Sequence, residues 1–198
     1  MAAVEIYGTS PAEPPREVEV LRVELNGDDR RGAHEALAEV LAARLGSTAA
    51  AATVRTEAGK PRLAEDPPRL SFNLSHSGGL ALIAIAPGGV EVGVDVERLR
   101  PRRDLVRLAE RWLPEDDAGA VAAAAPGARE AVFYAAWTRH EARVKCLGTG
   151  LAGPPPGPEV VAVQLKADDG YAAAVAVHDP AAPGLEPRVV LRDGPGRR

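Results

Sequence analysis

The strictest pattern in this sequence is an eight-residue alternation at residues 90–97, which reads Val-Glu-Val-Gly-Val-Asp-Val-Glu. Successive side chains of a strand point to opposite faces, so the segment predicts a strand whose four valines face a core. Asp95 and Glu97 then project side by side from the other face. They form either a solvated acidic surface or part of a Mg²⁺ site, because Mg²⁺ binds few carboxylates and keeps water and phosphate oxygens. Gly93, on the same face, leaves room for a ligand or another backbone.

A helix is the second strong pattern, predicted over residues 129–147 and ended by Gly148-Thr149-Gly150. Positions four residues apart share one stripe of this helix, which carries Phe133, Trp137, Glu141 and Lys145. Glu141 and Lys145 form either an i,i+4 ion pair, worth about 0.3–0.5 kcal/mol, or part of a site for metal-assisted phosphoryl transfer. In the second interpretation, Glu141 is a third carboxylate and Lys145 an ammonium that meets phosphate.

The remaining patterns predict an α+β chain of two similar-sized lobes, residues 1–99 and 100–198. Asp28 or Asp29 caps the first helix, and Gly46 ends it. A polar segment at 75–79 separates two short strands, and the tail at 194–198 is expected to be disordered. The predicted strands are 18–25, 70–74, 80–86, 90–97, 160–165, 171–177 and 188–191. The predicted helices are 30–45, 105–112, 115–125 and 129–147.

The charge and the cysteine and lysine content of the chain exclude some classes of function and favour others. The formal net charge of -4 over 198 residues argues against a general nucleic-acid binder, which needs a basic surface. Cys146 is the sole cysteine, which excludes an intramolecular disulfide and a cysteine-based zinc site. A cytoplasmic location is expected, since the first ten residues lack a signal-peptide pattern and no apolar run approaches the roughly 18 residues of a membrane span. Only three of the 24 basic residues are lysines, Lys60, Lys145 and Lys166, which indicates positions that need a compact ammonium.

Four segments, in order and with similar spacing, resemble the motifs of the Sfp-type 4'-phosphopantetheinyl transferases. They are Gly59-Lys60-Pro61, Phe72-Asn73-Leu74-Ser75-His76-Ser77, Gly93-Val94-Asp95-Val96-Glu97, and Trp137-Thr138-Arg139-His140-Glu141-Ala142 followed by Lys145, Gly148, Gly150 and Leu151. Together they cover residues 59–151, about half of the chain. No single segment is decisive, and the specificity comes from all four occurring in sequence.

The resemblance implies a pseudo-twofold fold of two similar α/β lobes, with coenzyme A bound in the cleft between them. It also implies transfer of the 4'-phosphopantetheine group of coenzyme A to a serine of an apo acyl or peptidyl carrier protein, releasing 3',5'-ADP. Mg²⁺ would be held by Asp95, Glu97 and Glu141. Glu141 and Lys145 would be the catalytic residues, the first as the base and the second as a stabiliser of transition-state charge.

For the nucleotide end of coenzyme A, the resemblance implies phosphate contacts from Lys60, Ser75, His76 and Lys145. Taken singly, Lys60 also fits a solvated loop charge, Ser75 an ordinary turn residue and His76 a turn histidine bonded to its own backbone. The family usually has lysine where this chain has His140. A histidine is neutral for much of the time near pH 7, so its charge contribution there is reduced.

Arginines cluster just beyond the acidic strand, at Arg98, Arg100, Arg102, Arg103, Arg107 and Arg111. The cluster is either a solvated surface or a docking face for an acidic carrier protein, steered by complementary charge. In the N-terminal lobe the resemblance is weak, and Arg30 and Arg31 are only candidates for phosphate binding.

Two other functions compete with transfer. One is a non-catalytic relative that binds the carrier protein or coenzyme A, for which His140 is the only support. The other is an unrelated Mg²⁺-dependent phosphohydrolase, which needs no protein acceptor. The length and motifs resemble the branch of the family that serves secondary-metabolite biosynthesis. A monomer is expected, because both lobes lie in one chain.

Overall fold

The computed structural model describes residues 16–46, 53–55, 60–64 and 68–195. Gly59 of the first motif, the ten N-terminal residues tested for a signal peptide, and residues 196–198 of the tail lie outside this part of the chain. The described strands are β1 Glu17–Glu24, β2 Thr53–Arg55, β3 Pro61–Leu63, β4 Leu70–Ser77, β5 Leu80–Pro87, β6 Glu91–Arg98, β7 Val161–Leu165, β8 Tyr171–His178 and β9 Arg188–Asp193. The described helices are α1 Arg30–Leu45, α2 Leu105–Trp112, α3 Glu115–Ala123 and α4 Pro126–Leu147.

These strands form a four-stranded sheet of order β4-β5-β1-β9, a three-stranded sheet of order β6-β8-β7, and the small pair β2-β3. Neighbours are antiparallel except β1 and β9, which are parallel. Helix α1 packs on the first sheet, and α4 packs on the second. The predicted α+β class is confirmed.

Strand pairing crosses the predicted boundary between residues 99 and 100 in both directions. Strand β6, which precedes the boundary, pairs with β8, so that Asp95 lies opposite Ala174. Strand β9, near the end of the chain, pairs with β1, so that Glu17 lies opposite Arg188. The division into lobes 1–99 and 100–198 stays a prediction, and each sheet is completed by a strand from the other half of the sequence.

The valine face of β6 lies in the core, as the alternation predicts. Val90, Val92 and Val94 are 0% exposed and Val96 is 1% exposed. They pack with side chains of β1, β5 and β8 in one apolar cluster. Burying a valine contributes about 1.5–3 kcal/mol, so this face fixes the orientation of the strand and sends Asp95 and Glu97 to the opposite side.

Helix α4 crosses that opposite side at Gly93. A Cβ atom on Gly93 would lie 2.1 Å from the carbonyl oxygen of Ala142 and 2.3 Å from the amide nitrogen of Cys146. The missing side chain therefore admits the helix backbone, which was one of the two uses predicted for it. The helix begins at Pro126, three residues earlier than predicted, because proline suits the first helical position. It ends at Gly148, whose φ of 70° is the left-handed cap conformation.

The two larger sheets meet where β4 runs beside β6, and polar side chains of β4 replace a backbone ladder there. The β6 amide nitrogens of Val94, Val96 and Arg98 donate to Asn73 Oδ1 at 3.0 Å, Ser75 Oγ at 3.3 Å and Ser77 Oγ at 3.1 Å, respectively. The prediction that residues 75–79 only separate two strands was wrong. Strand β4 continues through Ser77 because its backbone pairs with β5 as far as Ser77 opposite Leu80, and only Gly78 and Gly79 form the turn.

The local signals for α1 are confirmed. Asp29 is its N-cap, with the side chain accepting a hydrogen bond from the Gly32 amide at 2.9 Å, and Gly46 follows its last residue. None of the helices in the described residues combines the length and the apolar character needed to cross a bilayer.

Candidate metal and phosphate site

Asp95 is the most deeply buried carboxylate of the described residues, with 2% of its surface exposed. Its Oδ1 accepts hydrogen bonds from Lys145 Nζ at 2.6 Å and from Ser75 Oγ at 3.0 Å. Its Oδ2 is buried and has no hydrogen-bond partner. A buried carboxylate oxygen without a donor costs free energy, and a bound cation would remove that cost.

Glu97 lies two residues along β6, on the same face. Ser77 Oγ donates a hydrogen bond to Glu97 Oε2 at 3.0 Å. Burial and then the charge of Asp95 raise the pKa of Glu97, and the Ser77 hydrogen bond and Lys145 oppose the shift. The carboxyl groups of residues 95 and 97 are therefore close enough to repel each other.

Glu141 approaches these two carboxylates from α4. Burial, followed by the charges of Asp95 and Glu97, raises the pKa of Glu141, and Lys145 opposes the shift. The Gly93 contact explains this approach, since it sets the α4 backbone directly on β6 one residue from Glu141. The structure thus brings the three predicted metal ligands into one electrostatically coupled group.

The three carboxylates do not form a closed cage. Among the residues that the structure describes, no three His, Cys, Asp or Glu side chains are grouped tightly enough to enclose a metal ion. Mg²⁺ does not require such a cage, because it binds through one or two carboxylates and fills its octahedron with water and phosphate oxygens. The unpartnered Asp95 oxygen and the mutual repulsion of the carboxylates suit a hard divalent cation.

Lys145 faces Asp95 instead of forming the helical ion pair with Glu141. Besides the Asp95 contact, its Nζ lies 3.1 Å from Ser75 Oγ, and 31% of its side chain is exposed. Two adjoining cavities of about 280 and 250 Å³ both border Lys145 and Pro61. The first is also lined by Arg30, Ser75 and His76, and the second by Lys60, Glu141 and Gly148. Together the cavities form a cleft between α1, β4 and α4.

Lys60 is a wall of this cleft and not a solvated loop charge, since 9% of its side chain is exposed. Its Nζ donates to Glu91 Oε2 and to the carbonyl oxygen of Cys146, both at 2.5 Å. A Cβ atom on Gly148 would lie 3.2 Å from the Lys60 Cβ. Lys60 therefore ties the β3 end to the last turn of α4, and its predicted contact with phosphate stays a prediction.

His76 and Ser75 are not turn residues, because both lie within β4. His76 borders the cleft, and its Nδ1 lies 3.3 Å from Asp28 Oδ1. Sequence reasoning considered Asp28 only as a cap for α1. The sequence does contain a signal for the contact between Asp28 and His76. Two adjacent aspartates precede α1, and only Asp29 caps the helix, which leaves Asp28 for another partner.

His140 lies away from the carboxylates and borders a cavity of about 570 Å³ with Asp117, Arg139 and Arg143. Burial and then the charge of Arg143 lower the pKa of His140, and Asp117 opposes this shift. The imidazole is therefore held in its neutral form near pH 7, where a lysine would be charged. Of the two guessed phosphate-binding arginines, Arg30 borders the cleft, while Arg31 is 89% exposed and pairs with Glu35 at 2.7 Å.

The arginine cluster divides between a groove and the outer surface. A groove of about 350 Å³ begins at Glu97 and is lined by Ser77, Arg98, Arg100, Arg102, Phe133 and Trp137. Phe133 and Trp137 stack there with ring centroids 5.7 Å apart. Arg111 lies outside this groove, with its guanidinium 4.9 Å from the centroid of the Trp112 ring.

Comparison with known proteins shows which family part of this chain resembles in sequence. Residues 91–185 match the sequence model of the 4'-phosphopantetheinyl transferase superfamily. The chain is 38% identical over 98 residues to the 4'-phosphopantetheinyl transferase HetI of Nostoc, covering 48% of this chain and 40% of HetI. It is 39% identical over 92 residues to the 4'-phosphopantetheinyl transferase AcpT of Salmonella typhi, covering 46% of this chain and 47% of AcpT.

A further relative is the 4'-phosphopantetheinyl transferase psf-1 of Bacillus pumilus, 34% identical over 94 residues, covering 48% of this chain and 38% of psf-1. The chain thus spans less than half the length of these curated relatives. The matched segment contains the acidic strand and the helix that predicted the site. Residues 91–185 are thus similar in sequence to the 4'-phosphopantetheinyl transferase superfamily, which confirms the resemblance predicted from the motifs.

Proposed function

We propose that this chain transfers the 4'-phosphopantetheine group of coenzyme A to a serine of an apo acyl or peptidyl carrier protein and releases 3',5'-ADP. One observation carries the proposal: the buried Asp95, bonded to Lys145 beside a cleft that Glu141 also borders, has a carboxylate oxygen without a donor. Relatives of the matched segment are named 4'-phosphopantetheinyl transferases.

The proposed metal ligands are Asp95, Glu97 and Glu141. A bound Mg²⁺ would supply a counter-charge for the pyrophosphate of coenzyme A. Lys145 supplies a second positive charge, fixed by Asp95 and Ser75 at the edge of the cleft, and such preorganised charges stabilise a transferring phosphoryl group. Lys60, Ser75 and His76 are proposed to lie along the phosphates of the nucleotide, since each borders the cleft.

Glu141 is the proposed base. The Glu141 side chain borders the cleft beside Lys145, where its carboxylate can accept the proton of an entering hydroxyl group. The serine oxygen of the carrier attacks the phosphorus next to the pantetheine, and its proton goes to Glu141. The bond between that phosphorus and the bridging oxygen of the pyrophosphate breaks, and 3',5'-ADP leaves with the electron pair.

The groove at Glu97 is the proposed docking face for the carrier protein. Arg98, Arg100 and Arg102 border it beside the stacked Phe133 and Trp137, so it offers both positive charge and an apolar floor next to the reacting groups. Charge complementarity with an acidic carrier would accelerate association and make it sensitive to salt. An Arg100→Glu variant should reduce that salt sensitivity, since Arg98 and Arg102 remain, and Arg188→Glu, on the edge strand β9, is the matched control.

The decisive experiment incubates the chain with coenzyme A, Mg²⁺ and an apo carrier protein and weighs the carrier by mass spectrometry. The proposal predicts a gain of one phosphopantetheine, abolished by Asp95→Asn and kept by Asp193→Asn, whose side chain is 89% exposed. An unmodified carrier despite coenzyme A binding would favour the non-catalytic relative. Coenzyme A breakdown without carrier gain would favour the phosphohydrolase. A cytoplasmic, monomeric protein of secondary-metabolite biosynthesis stays the expectation.

A further inference from the structure

We propose that Ser75 and Ser77 are positioning residues that aim Asp95 and Glu97 at one shared divalent cation. The inference rests on the proposed function, since that function supplies the cation. Ser77 has no role in the motif-based prediction, in which Ser75 contacts phosphate. Besides that contact, the geometry of the β4–β6 seam points to a paired role for the two hydroxyls toward β6.

Each serine makes the same two hydrogen bonds to β6. Ser75 Oγ accepts from the amide of Val96 at 3.3 Å and donates to Asp95 Oδ1 at 3.0 Å. Ser77 Oγ accepts from the amide of Arg98 at 3.1 Å and donates to Glu97 Oε2 at 3.0 Å. In both cases the amide follows the carboxylate by one residue, and both strands advance by two residues between the two sets of bonds.

This arrangement determines where each hydroxyl proton goes. A serine hydroxyl has one proton to donate and two acceptor lone pairs. Because the backbone amide occupies one lone pair, the hydroxyl is held against β6 with its proton toward the neighbouring carboxylate. One oxygen of each carboxylate is then occupied, and the carboxyl group is held in one rotamer. In Asp95, Ser75 and Lys145 both donate to Oδ1, and Oδ2 is the buried oxygen left without a donor.

The next position of the seam lacks a carboxylate and lacks a serine. Asn73 accepts a hydrogen bond from the amide of Val94 at 3.0 Å, in register with the two serines. The residue before Val94 is Gly93, where α4 leaves no space for a side chain. At this position the side-chain amide of Asn73 is sufficient to join β4 to β6. Of these three bonded seam positions, the two that carry a hydroxyl are the two beside a carboxylate, which favours a positioning role over strand pairing alone.

The test compares two isosteric variants, Ser77→Thr and Ser77→Val, which differ only by a hydroxyl in place of a methyl group. Both are β-branched and suit a strand, and the Arg98 amide lies in an exposed hydrogen bond that water can replace. Mn²⁺ binding is measured by electron paramagnetic resonance on the full chain without coenzyme A or carrier. Unfolding in urea is measured in parallel.

We expect Ser77→Thr to bind Mn²⁺ with an affinity close to that of the wild type and Ser77→Val about tenfold more weakly, as is usual when a ligand loses its supporting hydrogen bond. The two variants should unfold at similar urea concentrations. Equal Mn²⁺ affinities of the Thr and Val variants would overturn the positioning role while leaving the transferase proposal intact. Absence of Mn²⁺ binding to the wild type would overturn both, and absence of carrier modification alone would overturn only the transferase.

Discussion

Adding one methyl group at Gly93 is the sharpest perturbation of the site that the structure offers. The Cβ of Gly93→Ala would meet the Ala142 oxygen at 2.1 Å, the Cys146 nitrogen at 2.3 Å and the Cys146 Cα at 2.8 Å. All three are helix backbone atoms, so no side chain can rotate out of the way. Restoring an ordinary contact of 3.4 Å requires the α4 and β6 backbones to separate by about 1.3 Å at this point.

Two effects follow from that separation. Overpacking a dense contact costs about 1–3 kcal/mol, and rigid backbone on both sides places this variant at about 3 kcal/mol or more. The movement also carries Glu141 away from Asp95, and misplacing a catalytic group by about 1 Å costs on the order of 100-fold in rate. Gly93→Ala should therefore lose both stability and transferase activity.

Urea unfolding measures the first effect, and the rate of carrier modification measures the second. The control is Gly119→Ala, where the added Cβ meets nothing within 4 Å in the interior of α3. Alanine is the better helix former, so this control should gain about 0.5–1 kcal/mol. If Gly93→Ala unfolded at the same urea concentration as the wild type, the close contact between α4 and β6 would be wrong.

Three further predictions concern residues away from the proposed metal. Burial raises the pKa of the Cys146 thiol to about 12, so little reactive thiolate is present near pH 8. Iodoacetamide should therefore label the chain in urea but not the native chain. Rapid labelling of the native chain contradicts the burial of Cys146. Burial lowers the pKa of His140 below 6.5, so the unfolded chain takes up a proton more readily than the folded chain as the pH falls, and acidification lowers the free energy of unfolding. The His140→Gln variant should therefore lose less stability than the wild type between about pH 7.5 and 5.5, as measured by urea unfolding. An equal loss in both proteins contradicts this. Arg129 donates to the carbonyls of Val121 and Ala124 at the end of α3, so Arg129→Ala should lower the free energy of unfolding by about 1.5 kcal/mol, and an unchanged urea midpoint contradicts this.

Local patterns in the sequence were sufficient for the elements that form the site. The alternation at 90–97 predicted both the buried valines and the close approach at Gly93, because a period of two depends only on neighbouring residues. Helix α1 has the predicted bounds, 30–45, because Asp29 and Gly46 are caps that act within one turn. The stripe through Trp137, Glu141 and Lys145 followed from helical spacing alone.

Long-range pairing could not be predicted in this way. Ser75 and Ser77 read as turn residues because their partners on β6 lie about twenty positions later in the sequence. The parallel pairing of β9 with β1 joins residues separated by most of the chain, and no local pattern encodes it. The anchoring of Lys60 on the last turn of α4 was missed for the same reason, since its partners, Glu91 and Cys146, are distant in sequence.

The sequence patterns also did not predict the ion pair between Lys145 and Asp95, although each residue was predicted to be part of the site. Helical spacing favoured a pair between Glu141 and Lys145, because i and i+4 side chains are neighbours on an isolated helix. In the folded chain Asp95 is nearly buried and needs a donor more than the partly exposed lysine needs Glu141. The burial of the carboxylate decides which pair forms, and burial depends on the tertiary packing of α4 on β6.

Anomalous diffraction from crystals soaked in Mn²⁺ and coenzyme A would show whether the acidic strand and helix α4 hold one cation between them. We expect one strong peak within bonding distance of carboxyl oxygens from both Asp95 and Glu141. A Mn²⁺ peak elsewhere, or a Glu141 carboxyl group that lies on the far side of α4 from Asp95, would contradict it.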